Sequence, residues 1–174
     1  MRLPENWIAI GISQAWPLPL MGFSMVQKIS PPARVMTVRT LVDAGPLIGW
    51  LNASDQWHAW SVSALSATHG PLHTSEIILG EACWNLGGNT RPAHALLSLV
   101  RKGAIQLLHP WPENLERTQE LMIKYPNMDA GDASLVVLSE LFPQATVITT
   151  DRCDFTIYRR FRSQKIPALF PPRQ

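Results

Sequence analysis

Two short apolar runs in this chain each end on an aspartate, and that pairing limits the possible fold more than any other feature. Thr40-Leu41-Val42 leads into Asp43, with Gly45-Pro46 opening an amphipathic stretch behind it; the β-branched run Thr146-Val147-Ile148-Thr149-Thr150 leads into Asp151. Runs of this length and composition read as buried strands. Pro46 suits the first turn of a helix that continues to about Asn52. If the two strands are parallel neighbours, both carboxylates stand at one sheet edge. In open α/β sheets that edge takes ligands where the strand order reverses.

The rest of the chain supplies further strands and helices in alternation. Residues 38–42 form the first strand. Ser54 or Asp55 is expected to cap a helix carrying Trp57, Trp60, Val62 and Leu65. A short strand at Pro71-Leu72-His73 leads to Thr74, read as the cap of a helix over residues 75–86 that Gly87-Gly88 ends. Residues 93–101 have Leu96, Leu97 and Val100 at helical spacing, and residues 104–108 form a third strand. Residues 112–125 are expected to be helical, residues 129–141 form the strongest helix, and a last short strand is expected at about 167–170. This alternation predicts a parallel α/β sheet covered by helices on both faces. With neither repeats nor linkers, residues 37–174 are read as one domain.

Residues 1–36 differ in character. No charge occurs between Glu5 and Lys28, and Trp7, Ile8, Ile10, Ile12, Trp16, Leu18, Leu20, Met21 and Phe23 crowd the interval. Its length admits a membrane span, but Gly11, Pro17, Pro19 and Gly22 break it. Glu5 sits where a signal peptide needs positive charge. We read residues 1–36 as an extension outside the fold, a disordered tail or residues translated from too early a start codon, with Met36 the natural beginning. No membrane partner is expected. Of 174 residues, 15 are basic and 13 acidic; removing residues 1–36 leaves twelve of each. Bulk charge therefore offers no argument for a nucleic-acid partner, and only a local patch could. Cys83 and Cys153 make neither a disulfide framework nor a zinc spacing, which fits the reducing cytoplasm. The five histidines, His58, His69, His73, His94 and His109, show no metal spacing and are read as surface or loop residues.

The acids carry the chemistry. Asp43 could be no more than a helix cap. Glu81 shares a helix face with Ile77, Ile78, Trp84 and Asn85, so a carboxylate is expected on a buried side. Glu76, in a first turn, is ordinary. Asp129 reads as an N-cap, whereas Asp132 follows the apolar stripe of Leu135, Val136 and Ser139 and points inward. Asp154 falls in a loop before Phe155, with a metal role or a loop hydrogen bond open to it. Two carboxylates about 4 Å apart repel by about 4 kcal/mol at an effective dielectric near 20. Several of them converging call for a hard divalent cation, Mg²⁺ or Mn²⁺.

In their order, Val42-Asp43, Thr74 with Glu81 seven residues on, Met128-Asp129-Ala130-Gly131-Asp132-Ala133-Ser134-Leu135 and Thr149-Thr150-Asp151-Arg152-Cys153-Asp154-Phe155 resemble a PIN domain. Within that family the chain looks like the VapC-type toxins of prokaryotic toxin–antitoxin pairs. The likeness runs from about Val38 to Phe170 and leaves residues 1–36 without a counterpart. It implies a Rossmann-like three-layer fold and a Mg²⁺-dependent endoribonuclease, usually a homodimer, acting on RNA and silenced by a cognate antitoxin. By position the family's acidic quartet falls on Asp43, Glu81, Asp132 and Asp151, and its hydroxyl on Thr149. Asp129 and Asp154 match auxiliary acids. Within that quartet we expect metal contact from Asp43 and Asp132, with Glu81 and Asp151 acting through water or behind them; this division is our own and not part of the resemblance. Such a cation would polarise a phosphodiester and lower the pKa of a water. Arg159, Arg160, Arg162 and Lys165 form a basic stretch that could hold RNA phosphates or could equally be a solvated helix face.

Other readings compete. A haloacid-dehalogenase-like phosphatase would need a second acid where Gly45 stands, and a receiver domain would need a lysine at a later strand end. A non-catalytic module of the same fold, its acids only capping helices, remains the alternative from another class.

Overall fold

The computed structural model describes residues 37–111 and 113–173; the extension at 1–36 lies outside them. Five strands, β1 (Thr40–Val42), β2 (Leu72–Ser75), β3 (Ile105–Leu108), β4 (Thr146–Ile148) and β5 (Ala168–Leu169), form one sheet in the order β3-β2-β1-β4-β5. Every pairing is parallel. From β1 the chain steps outward through β2 to β3, then returns across the sheet to β4 on the other side of β1. The reversal therefore falls between β1 and β4, the two strands that end on aspartates.

The helices are α1 (Ala44–Leu51), α2 (His58–Ser66), α3 (Glu76–Asn85), α4 (Arg91–Arg101), α5 (Leu115–Lys124), α6 (Ala130–Leu141) and α7 (Arg152–Ile157). Right-handed crossovers put α1–α4 on one face and α5–α7 on the other. None of the described helices is long and apolar enough to cross a membrane. The β1 side chains and Leu47, Ile78, Leu96, Ile105, Leu121 and Val147 are buried in the common core. Helix α6 is its central part: every residue from Ala133 to Ser139 is buried. Its two buried serines satisfy themselves locally, Ser134 Oγ donating to Gly131 O and Ser139 Oγ to Val136 O. Arg117 of α5 forks onto Glu140 of α6, with Nε and Nη2 at 3.1 and 2.8 Å from the two carboxylate oxygens. This paired geometry holds α5 against the end of α6.

Several local expectations change. Ser75, not Thr74, caps α3, accepting from Ile78 N. Thr74 stays in β2 and donates to Val42 O at 2.8 Å, tying β2 to the end of β1. Neither Ser54 nor Asp55 caps α2, which begins at His58 without a side-chain cap; Asp55 instead accepts from Trp57 N at 2.7 Å in the preceding turn. His73 is no surface residue: it lies buried in β2, and burial lowers its pKa and keeps the imidazole neutral. Its strand position between β1 and β3 is what buries it.

Gly45 shows how tightly α1 meets the end of β4. A Cβ there would stand 2.1 Å from Thr150 Oγ1, well inside contact distance. Gly45→Ala should therefore lose about 1–3 kcal/mol of stability despite alanine's better helix propensity. Thermal unfolding should show the loss, and most of it should return in the Gly45→Ala/Thr150→Ala double variant.

Candidate active site

Parallel pairing of Val42 with Ile148 sets the ends of β1 and β4 side by side, and Asp43 N continues the ladder to Ile148 O at 3.0 Å. Asp43 is 9% exposed. Its Oδ1 accepts from Ala44 N at 2.7 Å, capping α1, and its Oδ2 accepts from Thr149 Oγ1 at 2.6 Å. The same Thr149 hydroxyl accepts from Asp151 N at 2.9 Å. One buried side chain thus fixes both strand-end acids relative to each other. Burial raises the pKa of Asp43 above the ordinary carboxylate range; the two hydrogen bonds pull it back, and the charges of Asp151 and Asp129 push it further up.

Apart from Glu81, the remaining acids arrive on helix starts. Asp129 caps α6, accepting from Asp132 N at 2.8 Å, and Asp151 caps α7, accepting from Asp154 N at 2.9 Å. Asp154 accordingly stands in the first turn of a helix, not in a loop; the Asp151 cap starts that helix. Asp132 is half-buried in the first turn of α6, on the side of Leu135, Val136 and Ser139. Its Oδ2 accepts from Tyr158 OH at 2.9 Å. Burial is the main cause that moves its pKa up to about 7, with the charges of Asp129, Asp43 and Asp151 adding to it against the Tyr158 bond.

Glu81 departs from expectation. Its face of α3 is open, with Trp84 81% exposed, because the helix packs through Ile78 and Ala82. Glu81 as a residue is exposed, yet its carboxyl end leans over the start of α6. A Cβ on Gly131 would lie 3.2 Å from Asp129 Oδ1 and 3.4 Å from Glu81 Oε2. The absence of a side chain at Gly131 leaves a gap between those two carboxylates. Partial desolvation, then the charges of Asp43 and Asp129, raise the pKa of Glu81.

All the charges that shift Asp43, Glu81 and Asp132 are other carboxylates. The donors are all oxygens, a set that suits a hard divalent ion. The acids are nonetheless not gathered into a ready cage. Among the described residues no three His, Cys, Asp or Glu side chains are disposed to hold a metal ion as they stand. The helix caps and the Tyr158 bond hold them apart, as their repulsion favours.

The basic stretch has other partners. Arg159 Nη1 donates to the carbonyls of Thr156, Ile157 and Tyr158 at the end of α7. Arg160 Nη1 donates to Ser139 O near the far end of α6 and to Pro143 O just past it; Ser139 is about 15 Å along that helix from Asp129 at 1.5 Å per residue. Arg162 and Lys165 are exposed beyond it. Tyr158 is the site residue that sequence reasoning missed. It is buried against Tyr125 and Phe155, and no local pattern connects it with an acid 26 residues earlier.

A parallel sheet of order 3-2-1-4-5 with carboxylates at its switch point is the architecture of PIN domains. The PIN domain family model matches residues 40–157, and the chain belongs to that family. No curated protein matches the sequence. Among solved structures the chain is similar to VapC20 of Mycobacterium tuberculosis, a toxin described as cleaving the sarcin–ricin loop. The TM-score is 0.57 and the identity 18%, covering 62% of this chain and 86% of that one. At that identity the likeness bears on the fold.

The raised carboxyls make metal-free stability depend on pH with a definite sign. Asp43, Glu81 and Asp132 bind protons more tightly folded than unfolded, so acidification favours folding. The melting temperature in chelator should rise as pH falls from 8 through 7, where Asp132 takes up its proton and before buried His73, whose lowered pKa acts in the opposite sense, begins to count. Asp132→Asn should flatten the upper part of that rise, around pH 7, because the group that titrates there is gone.

Proposed function

We propose that the chain is a metal-dependent endoribonuclease of the VapC type, the toxin of a type II toxin–antitoxin pair. The observation that supports this reading is that the charges acting on Asp43, Glu81 and Asp132 near the β1/β4 switch point are other carboxylates, those of Asp129 and Asp151 among them. In this reading Asp43 and Asp132 hold Mg²⁺ or Mn²⁺, and Glu81 and Asp151 act through water or from behind. When bound, the ion polarises the phosphodiester and makes a water more acidic.

The chain's own groups prepare that chemistry. Thr149 Oγ1 and Ala44 N orient the Asp43 carboxylate before any ligand arrives, so no ordering is needed at that side chain. Tyr158 OH holds Asp132 Oδ2 and favours its ionised form. Gly131 keeps the space between Asp129 and Glu81 clear of a side chain. Asp129 and Asp154 are auxiliary, their main bonds being to helix starts. The family membership and the likeness to VapC20, a toxin, support RNA as substrate and a cognate antitoxin as partner; a second copy of the chain as partner and action in the cytoplasm belong to the same proposal.

Because Asp43, Asp129 and Asp151 all cap helices, a non-catalytic module of the same fold is the rival. Metal separates the two: Mn²⁺ or Mg²⁺ should raise the melting temperature at pH 8 if the acids hold an ion, and leave it unchanged if they only cap. Asp43→Asn should abolish cleavage of a structured RNA panel in Mg²⁺. The metal-free variant should be as stable as the parent or more so. Asparagine keeps an oxygen for Ala44 N, offers its amide to the Thr149 oxygen and removes a buried charge. A clear loss of metal-free stability would instead give Asp43 to capping.

A further inference from the structure

A cleft of about 400 Å³ opens beside the acids, lined by Trp57, Thr150, Arg152, Pro171, Pro172 and Arg173. Its position is set by Thr150. That residue lies between Thr149, which holds Asp43, and Asp151, and its hydroxyl is packed against Gly45. Consecutive Cα atoms are about 3.8 Å apart, so the cleft begins one residue from the acidic centre.

Its charge is opposite to that of the centre. Arg152 lays its guanidinium 4.7 Å from the centre of the Phe170 ring and donates Nη2 to Pro171 O at 2.5 Å. A guanidinium has five N–H donors, which leaves others free to meet a ligand. Among the described residues neither Arg152 nor Arg173 has a carboxylate partner. The third element is aromatic. Trp57 is half-buried, and its backbone is pinned by Asp55 Oδ1 on its N–H at 2.7 Å and by Ser61 N on its carbonyl at 2.8 Å. An indole on a fixed backbone beside two guanidinium groups is the chemistry that takes a single-stranded nucleotide, the base by stacking and the phosphate by charge. The volume also suits a small ligand. A carboxylate-bearing peptide would use the arginines but gives the indole no partner of its own.

We propose that this cleft is a nucleotide subsite for the RNA strand that enters the acidic centre, with a base on Trp57 and its phosphate held by Arg152 and Arg173. This rests on the ribonuclease reading. Pro171, Pro172 and Arg173 lie beyond the residues matched by the PIN family model, so that wall of the subsite belongs to this chain's own C-terminal segment.

The test uses the full chain carrying Asp43→Asn and a short, fluorescein-labelled, single-stranded RNA of mixed sequence, read by fluorescence anisotropy over a range of NaCl. Trp57→Ala and Arg173→Glu should each weaken binding about five- to twenty-fold, and Trp57→Phe should restore most of it. Arg173→Ala should reduce the salt slope by about 1. Arg173 is an exposed residue near the chain end, so its variants report on the subsite even if Trp57→Ala disturbs the loop. Unchanged RNA affinity in Arg173→Glu and Trp57→Phe together with Trp57→Ala would overturn the subsite. So would variants that keep RNA affinity but lose binding of a fluorescein-labelled glutamate-rich peptide titrated in the same way. Cleavage is scored separately on chains with Asp43 intact: a parent that cleaves no RNA in Mg²⁺ or Mn²⁺ refutes the catalytic reading, while the anisotropy titration still decides the subsite.

Discussion

The rest of the site is arranged around a carboxylate placed where burial disfavours it. Asp43 ends the strand beside the switch point, is nearly enclosed, and has other acids as its charged neighbours. It persists there because two donors meet it, one from the helix it starts and one from the neighbouring strand's threonine. Losing either donor would leave a buried oxygen unsatisfied, at a cost of about 1–3 kcal/mol. A folded chain that maintains such a group pays for it with packing elsewhere, and α6 supplies much of that packing.

Helix α6 links stability and site in one element. Its middle is buried against the sheet, which leaves little freedom in where its first turn lies. That first turn carries Asp129, Gly131 and Asp132, and so the core packing of Leu135 and Val136 determines how close these come to Glu81 and Asp43. At its other end Glu140 binds Arg117 and also accepts from Phe161 N at 2.8 Å. Arg160 donates to the Ser139 carbonyl of the same helix and to the Pro143 carbonyl just beyond it. The basic stretch that could have met RNA phosphates is thus partly spent on anchoring the C-terminal segment, while the arginines nearest the acids are Arg152 and Arg173.

Much of this was legible in residues with strong local signals. The strand–aspartate endings, the inward stripe of α6 below Asp132 and the capping role of Asp129 follow from periodicity and side-chain chemistry over a few residues. The less legible features involve competition between neighbours or distance along the chain. Thr74 and Ser75 are both good caps, and the sheet decided by keeping Thr74 in β2 to bond Val42 O. His73 stands in a strand the sequence predicts, but only the pairing of that strand between β1 and β3 buries it. Glu81 was expected on a buried face because Ile77, Ile78 and Trp84 are apolar. The packing of α3 through Ile78 and Ala82 instead left Trp84 in solvent.

The chain's sequence by itself determined the alternation of strands and helices, the acids at two strand ends and two helix starts, and membership of a family whose pattern those acids follow. These are local properties, set by side-chain period, capping chemistry and β-branching. Only the tertiary structure decided which strands are neighbours and so which acids share an edge. It also brought Thr149 to Asp43, Tyr158 to Asp132, and Arg173 to the cleft beside Thr150. Those placements join residues 106, 26 and 23 positions apart, the first two by hydrogen bonds and the third as walls of one cleft, and they depend on strand order and helix packing, which no short stretch of sequence encodes.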